Sequence, residues 1–306
     1  MKEFDVVTAF DICVDFLMDL GDTEPEFGQK EKLVDGYGLV MGGSACIFAC
    51  QCAKLGLKTT GAGSIGDDSM GTFMLECLEQ GGVDTSYIRK SQDRTGLTLA
   101  MSKKGGDRSI LTYMGALDTV QKSWIEELLP KTSHLHICSY YLLKGLQAEY
   151  PDILEQAKKL GVTVSLDTNW DPDENWDGGV RNILPYVDVF LPNENELVYI
   201  TGQDNIQDAL RYVGEKVPII AVKCGEDGAY ASCKGTIYKR EAIRVDVADT
   251  VGAGDSFNGG FVYGFLSNLP IEECLIAGTT CGSYSTRFPG GTKGQPTLKE
   301  LKKTKR

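Results

Sequence analysis

The chain has 306 residues, 42% of them hydrophobic and 24% charged, with a formal net charge of -12, the profile of a globular protein with room for one large domain or two ordinary ones. So acidic a chain argues against a nucleic-acid partner, which needs clustered Lys and Arg to neutralise phosphates, and no apolar stretch is long enough to span a bilayer. Ten cysteines without a repeated spacing, Cys50-Gln51-Cys52 apart, suggest neither a zinc site nor a disulfide framework and fit reduced thiols in a cytoplasm.

Residues 4–10 read as a buried opening strand, without the layout of a signal peptide. Asp11 and Asp15 follow, and residues 33–41 return as a strand. Gly42-Gly43-Ser44 then opens a helix carrying Cys46, Cys50, Ala53 and Leu55 at helical spacing, which Gly56 stops. A second core strand at 58–60 runs into Gly61-Ala62-Gly63-Ser64-Ile65-Gly66. That run fits the glycine pattern of a dinucleotide-binding turn, so a nicotinamide-dependent oxidoreductase is a rival enzyme class. Its context is poor: a strand and a helix already precede it, and Asp67-Asp68 would repel a pyrophosphate.

A helix over 70–80 ends at Gly81-Gly82. Strands at 96–101 and 109–114 flank Lys103-Lys104-Gly105-Gly106-Asp107, a hairpin turn. A hairpin is foreign to a parallel sheet, so residues about 12–41 and 95–115 are expected to form a small β lid. From residue 120 onward strands are expected at 134–138, 162–167, 187–191, 219–223 and 243–247, with helices near 147–160, 178–184, 194–200 and 205–213. The alternation predicts a single α/β domain over 1–306, with a mainly parallel central sheet flanked by helices on both faces and a small β-sheet lid. His134 and His136 share a strand face and no ligand set completes them, so they read as structural. The basic end, Lys302-Lys303-Thr304-Lys305-Arg306, reads as a solvated tail.

Ligands in such sheets bind beyond the carboxyl ends of the strands. That singles out residues 167–169, 193–196, 223–228 and 249–255, each expected to end a strand. The most informative stretch is Asp249-Thr250-Val251-Gly252-Ala253-Gly254-Asp255-Ser256-Phe257-Asn258-Gly259-Gly260. Alternating Ile243, Val245 and Val247 precede it, and Phe257, Phe261 and Phe265 recur after it at helical spacing. The glycines thus mark a turn into a helix N-terminus, where free amides and the helix dipole make an anion cradle. Asp255 inside that cradle would repel a phosphate unless it accepts a proton from whatever attacks it. Asn193-Glu194-Asn195-Glu196 reads locally as a capped helix start, and Lys223-Cys224-Gly225-Glu226-Asp227-Gly228 as a turn.

The 249–260 stretch resembles the C-terminal signature of the ribokinase-like (phosphofructokinase B) carbohydrate kinases. The resemblance implies that Asp255 is the catalytic base and that the amides of Gly252, Ala253 and Gly254 form the anion hole. Asn193 and Glu196 match the family's Asn-x-x-Glu motif, which holds magnesium through water. Lys223, Gly225 and Gly228 resemble its ATP-side loop, while Asp249 and the carbonyl of Val251 resemble part of a monovalent-cation site, suggesting K+, with further ligands expected between Ser285 and Thr292. Gly63, Gly66, Asp68 and Gly71 match a family glycine pattern, and Gly42, Gly43 and Asp15 resemble the hinge and the hydroxyl-binding aspartate beside the sugar. Cys13 and Ile47 stand where the family frequently has Asn, which makes the pocket less polar than a ribose site. The implied activity is ATP-dependent phosphorylation of a primary hydroxyl on a sugar or sugar-like molecule. Independently, the exposed edge or face of so small a lid sheet is expected to meet a second chain, giving a homodimer through the lid, in the cytoplasm that the thiols suggest. A nucleoside kinase is the alternative within the enzyme class, and a sugar-sensing protein without turnover the alternative outside it.

Overall fold

The strands along the chain are β1 (Phe4–Ala9), β2 (Cys13–Gly21), β3 (Gly36–Met41), β4 (Thr59–Gly66), β5 (Ile88–Ser91), β6 (Gly96–Lys103), β7 (Arg108–Tyr113), β8 (Thr132–Ile137), β9 (Thr163–Leu166), β10 (Val189–Phe190), β11 (Ile219–Lys223), β12 (Ala229–Cys233) and β13 (Thr236–Arg240). The helices are α1 (Ser44–Lys54), α2 (Ser69–Gln80), α3 (Lys122–Leu128), α4 (Lys144–Gln147), α5 (Tyr150–Lys159), α6 (Val180–Ile183), α7 (Glu194–Thr201), α8 (Ile206–Gly214), α9 (Ala253–Leu266), α10 (Ile271–Ser285) and α11 (Leu298–Thr304). The structure, a computed structural model, describes residues 2–105 and 107–304. Gly106 of the expected hairpin turn, and Lys305 and Arg306 of the basic tail, lie outside the described residues.

The larger sheet runs β13-β12-β11-β10-β9-β8-β1-β4-β5. From β11 to β5 every pairing is parallel, and β12 and β13 close one edge as an antiparallel hairpin. Parallel strands bury both faces, which is why β1 and β4 are apolar or small rather than alternating. On one face Val6, Val189 and Ala221 meet Phe48 of α1, Phe257 and Phe261 of α9, and Leu275 of α10. On the other, Val7, Leu135 and Val164 meet Ile125 of α3, Ile153 of α5, Ile200 of α7 and Leu210 of α8. The fold is the predicted α/β one, a mainly parallel central sheet flanked by helices, with a second, smaller sheet β3-β2-β6-β7.

Helix α10 was not expected, yet its fit to α9 explains the glycine stripe of α9. A Cβ on Gly260 would lie 2.6 Å from Ala277 O, and one on Gly264 2.8 Å from the Cα of Cys274. The exchange is reciprocal, since Gly278 and Gly282 of α10 lie against Phe257.

Three expectations are corrected. Residues 243–247 form no strand: the sheet edge is already taken by β13, and Val247 is 62% exposed. The run ahead of the cradle is therefore an extended connector, and its alternation has no partner strand to satisfy. Second, Gly61–Gly66 is no nucleotide-binding turn but the body of β4, buried throughout. Its glycines make room for Phe10, whose ring would be 2.6 Å from a Cβ on Gly61. Asp68 caps α2 by accepting the Gly71 N–H at 2.8 Å. This removes the oxidoreductase reading. Third, Lys302, Lys303 and Thr304 of the expected tail are the last turn of helix α11, anchored by the buried Leu301, although both lysines are solvent-exposed as expected.

The histidines sit inside β8. His134 bonds Thr163 at 2.8 Å and Ser165 at 2.7 Å, and His136 Nδ1 shares the Ser165 hydroxyl at 2.7 Å. Burial pushes both imidazoles down to about 3, so they are neutral side chains of the core.

Candidate active site

The ends of β9 and β11, the N-termini of α1, α7 and α9, and Asp15 of β2 meet around a cavity of ≈ 450 Å³. It sits where strand order reverses: the chain passes from β1 to β4 on one side, while β8 and its successors lie on the other. The crevice outside such a switch point is where open α/β sheets bind ligands. Asp15, Gly43, Ile47, Asn193, Glu196, Lys223, Gly225, Val251, Gly252, Gly254 and Asp255 all line this cavity, as do Ser44, Asp167 and Asn169. Four expected residues, Gly42, Ala253, Gly228 and Asp249, do not. Gly42 presses on the Asp15 carboxylate, and Gly228 turns tightly against the backbone of Arg240 and Ala242.

Gly252 caps α9 with φ 72° and ψ 5°, a left-handed turn that side chains resist. A Cβ there would lie 2.9 Å from Gly291 Cα and 3.0 Å from Ile47 Cγ2. The Ala253 N–H donates to Thr250 O and the Ser256 N–H to Gly252 O. Between them, the amides of Gly254 and Asp255 belong to the first turn, which has no intrahelical acceptor for them, at the positive end of the helix dipole. The atoms nearest a Cβ on Gly254 are all of Lys223, from 3.5 Å, so the fold itself does not require glycine at that position.

Asp255, 8% exposed, has its carboxyl held well above the usual carboxylate range, chiefly by burial and then by the Asp167 charge, with Lys223 opposing. Lys223 Nζ lies 2.5 Å from Asp167 Oδ2, and Asn258 Nδ2 donates to the same oxygen. Burial alone would lower the Lys223 ammonium. The Asp167 and Glu196 carboxylates outweigh it and raise it, so the lysine stays charged beside the cradle. Asp167 thus anchors Lys223, a pairing that no local pattern announces because 56 residues separate the two.

Asn193 and Glu196 form a complete capping box. Asn193 Oδ1 accepts the Glu196 N–H at 2.8 Å, while Glu196 Oε2 accepts the Asn193 N–H at 2.9 Å and Oε1 accepts Asn193 Nδ2 at 2.7 Å. Burial, followed by the Asp167 charge, raises the Glu196 carboxyl. A magnesium ion fits this donor set through its waters: the donors are hard oxygens, a nearby dication would relieve the crowded carboxylates, and direct ligation would break the box.

At the other end, burial and then the charge of Asp11 push Asp15 up to about 6. Asp11 accepts the Ser44 and Ala45 N–H groups at 2.9 Å and 3.0 Å, and the Ser139 hydroxyl. It therefore fixes the start of α1, and with it the Gly42-Gly43 turn. Asn169, held at φ 57°, donates to Ser44 Oγ at 2.6 Å. In the sequence Ser44 reads only as part of a helix opening, and nothing local to Asp11 or Asn169 announces these partners.

Asp249 lies behind the cradle, 8% exposed. Its Oδ1 accepts the Val251 N–H at 3.1 Å and Arg108 Nη2 at 3.2 Å, and its Oδ2 accepts the Gly290 N–H at 3.2 Å. The carboxylate expected to hold a monovalent cation is thus already paired with a guanidinium, and the donor set does not fit a second cation there.

The chain is 29% identical over 292 residues to the 2-dehydro-3-deoxygluconokinase of Bacillus subtilis, covering 90% of this chain and 89% of that enzyme. It is likewise 29% identical over 289 residues to the ribokinase of Haemophilus influenzae, at 90% and 91% coverage. Arabidopsis thaliana ribokinase, solved in complex with ribose and ATP, superposes with a TM-score of 0.84 at 23% identity, covering 98% of both chains. That likeness shows the fold. The sequence profile of the pfkB family carbohydrate kinases matches residues 6–298, nearly the whole chain with every element that builds the cavity, and the protein belongs to that family.

Proposed function

We propose that this carbohydrate kinase transfers the γ-phosphate of ATP to a primary hydroxyl of an uncharged sugar or sugar-like acceptor, with Asp255 as general base. The observation that carries the reading is Asp255 at the N-terminus of α9, beside the first-turn amides of Gly254 and Asp255, in one cavity with Asp15 and Lys223. A buried carboxylate next to an anion cradle is unfavourable for binding phosphate alone, and useful where a hydroxyl must lose its proton as it attacks one. ATP lies along Asn193, Glu196, Lys223, Gly225 and the turn at Gly228. The acceptor lies against Asp15, Gly43 and Ile47, with Gly42 setting the Asp15 carboxylate. Among the described cavity-lining residues the one cation is Lys223, and it is already paired with Asp167. Among the described residues lining the cavity, no cation without a carboxylate partner is left to hold an acidic acceptor.

Phosphoryl transfer through a loose transition state asks the protein mainly to position groups and stabilise charge. The Asp255 carboxylate orients the hydroxyl and takes its proton late. The Gly254 and Asp255 amides and Lys223 stabilise charge on the transferring group. A magnesium ion held through water by Asn193 and Glu196 would neutralise phosphate charge. Replacing Glu196 with Gln keeps a capping acceptor but removes the anionic charge. We expect the apparent magnesium requirement to rise about tenfold while acceptor KM stays put; a changed acceptor KM with unchanged magnesium dependence would reassign Glu196 to the acceptor.

The smaller sheet is read as the lid. Register places Asp15 beside Val40 and Thr98 on one of its faces, the face turned to the cavity. The opposite face carries Phe16, Leu39, Leu99 and Leu111 in one row across all four strands, with Tyr37 and Tyr113 beside it. Tyr37 is 78% exposed and Leu111 59%. So broad an apolar face fits a second copy, and we expect a dimer at micromolar concentration by sedimentation, which Leu111→Arg dissociates. A fully active wild-type monomer would sink this expectation. The ten cysteines, mostly buried, support a reducing, cytoplasmic setting.

A coupled ADP-release screen over pentoses, hexoses, ketoses, deoxyketoacids, amino-sugars and nucleosides tests the function. Because Cys13 and Ile47 offer little to a sugar hydroxyl, ribose is expected to be at least about tenfold poorer than the best acceptor. Turnover confined to nucleosides would favour the nucleoside-kinase alternative. Binding of sugars without any ADP release would favour a sensor.

A further inference from the structure

The Arg108–Asp249 pair joins two parts of the protein that the sequence does not connect. Register sets Arg108 opposite Ser102, and Ser102 opposite Asp19, which puts Arg108 on the same sheet face as Asp15. From there its guanidinium reaches a carboxylate that also ties the 249–251 turn to the 290–291 turn through the Val251 and Gly290 amides. The same 290–291 turn is touched by the lid at its other edge, where Val40 lies against Gly290. Asp249 is 8% exposed while the Arg108 side chain is 42% exposed. A carboxylate so buried requires a counter-charge, and its removal would loosen the turn that sets Gly252.

We propose that Arg108 supplies at Asp249 the positive charge that the family resemblance assigns to a monovalent cation. Seating of the lid and completion of the anion cradle are then one event, and catalysis does not depend on potassium. Arg108 is a positioning residue, acting through Asp249. The proposal rests on the kinase reading, because it assigns the cradle a phosphate to hold.

The test compares wild type, Arg108→Ala and Arg108→Lys in potassium or tetramethylammonium chloride at a constant ionic strength of about 0.1 M. Turnover, ATP-magnesium affinity by calorimetry and thermal unfolding are measured for each. Wild type is expected to differ by less than about twofold in turnover between the two salts, with the same Tm in both, since its carboxylate is already paired. Arg108→Ala should lose about tenfold in kcat/KM in tetramethylammonium and recover most of it, together with Tm, in potassium. Arg108→Lys should keep most activity without potassium, because a point charge suffices. The proposal is overturned if potassium specifically activates or stabilises wild type. It is equally overturned if Arg108→Ala is unaffected, or is impaired without potassium rescue. Should no acceptor release ADP with any variant, the kinase reading fails, whereas the calorimetric and unfolding arms still decide whether Arg108 takes the cation's place.

Discussion

Asp255→Asn is expected to lose about 10²- to 10⁴-fold in kcat, the usual contribution of a positioned general base, while ATP binds as before. The amide keeps the side chain's shape among Asp167, Lys223 and Ser44 but cannot take the hydroxyl proton. It also removes a negative charge from the cradle, so ATP affinity measured by calorimetry should stay level or rise. Burial holds the Asp255 carboxyl above the ordinary carboxylate range, which makes it a stronger base than a surface aspartate. The sign of the pH effect follows: above the raised pKa the carboxylate is free to accept a proton, and as pH falls through it the base is lost and kcat declines. In the Asn variant that acid limb should vanish from what activity remains. Turnover of the variant within about threefold of wild type, far below a general-base effect, would reduce Asp255 to a residue of the helix end.

How much of this was readable in the sequence depends on how local each signal is. The cradle was legible because its determinants, Gly252, Ala253, Gly254 and Asp255, are contiguous and open a helix. The capping pair Asn193 and Glu196 was legible for the same reason, at three residues' separation. The strand ahead of the cradle was misread because alternation at Ile243, Val245 and Val247 reports side-chain type and not whether a partner edge is free. Gly61 to Gly66 misled in the opposite way: glycine admits a turn, but here it admits the ring of Phe10 onto a neighbouring strand. Helix α10 had a signal that went unused, since Gly278 and Gly282, which lie against Phe257, repeat the four-residue spacing of Gly260 and Gly264 on the helix they pack against. Asp167 with Lys223 and Arg108 with Asp249 lie 56 and 141 residues apart. Only the folded sheet brings such pairs together, and they set the charge balance of the site.

Gly254→Leu separates the cradle's chemistry from its architecture. Gly254 has an ordinary helical backbone, and the atom nearest a Cβ is Lys223 Nζ at 3.5 Å, an ordinary van der Waals contact. Replacing glycine within a helix gains up to about 1 kcal/mol of propensity, so unfolding should be unchanged or slightly delayed. The branched side chain nevertheless covers the amides on which a phosphate must sit. Losing one preorganised donor typically costs about 10²- to 10³-fold in kcat, and here ATP affinity should fall as well, because the same amides serve ground state and transition state. Gly252→Ala is the control for architecture: with φ 72° and Gly291 Cα 2.9 Å from the new methyl, it should cost about 1–3 kcal/mol of stability. The expected pattern is therefore an active-site defect with an intact melting transition for Gly254→Leu, and a lowered transition for Gly252→Ala. A Gly254→Leu protein that binds and turns over ATP normally would show that phosphate does not approach the first turn of α9, and the anion cradle would have to be placed elsewhere.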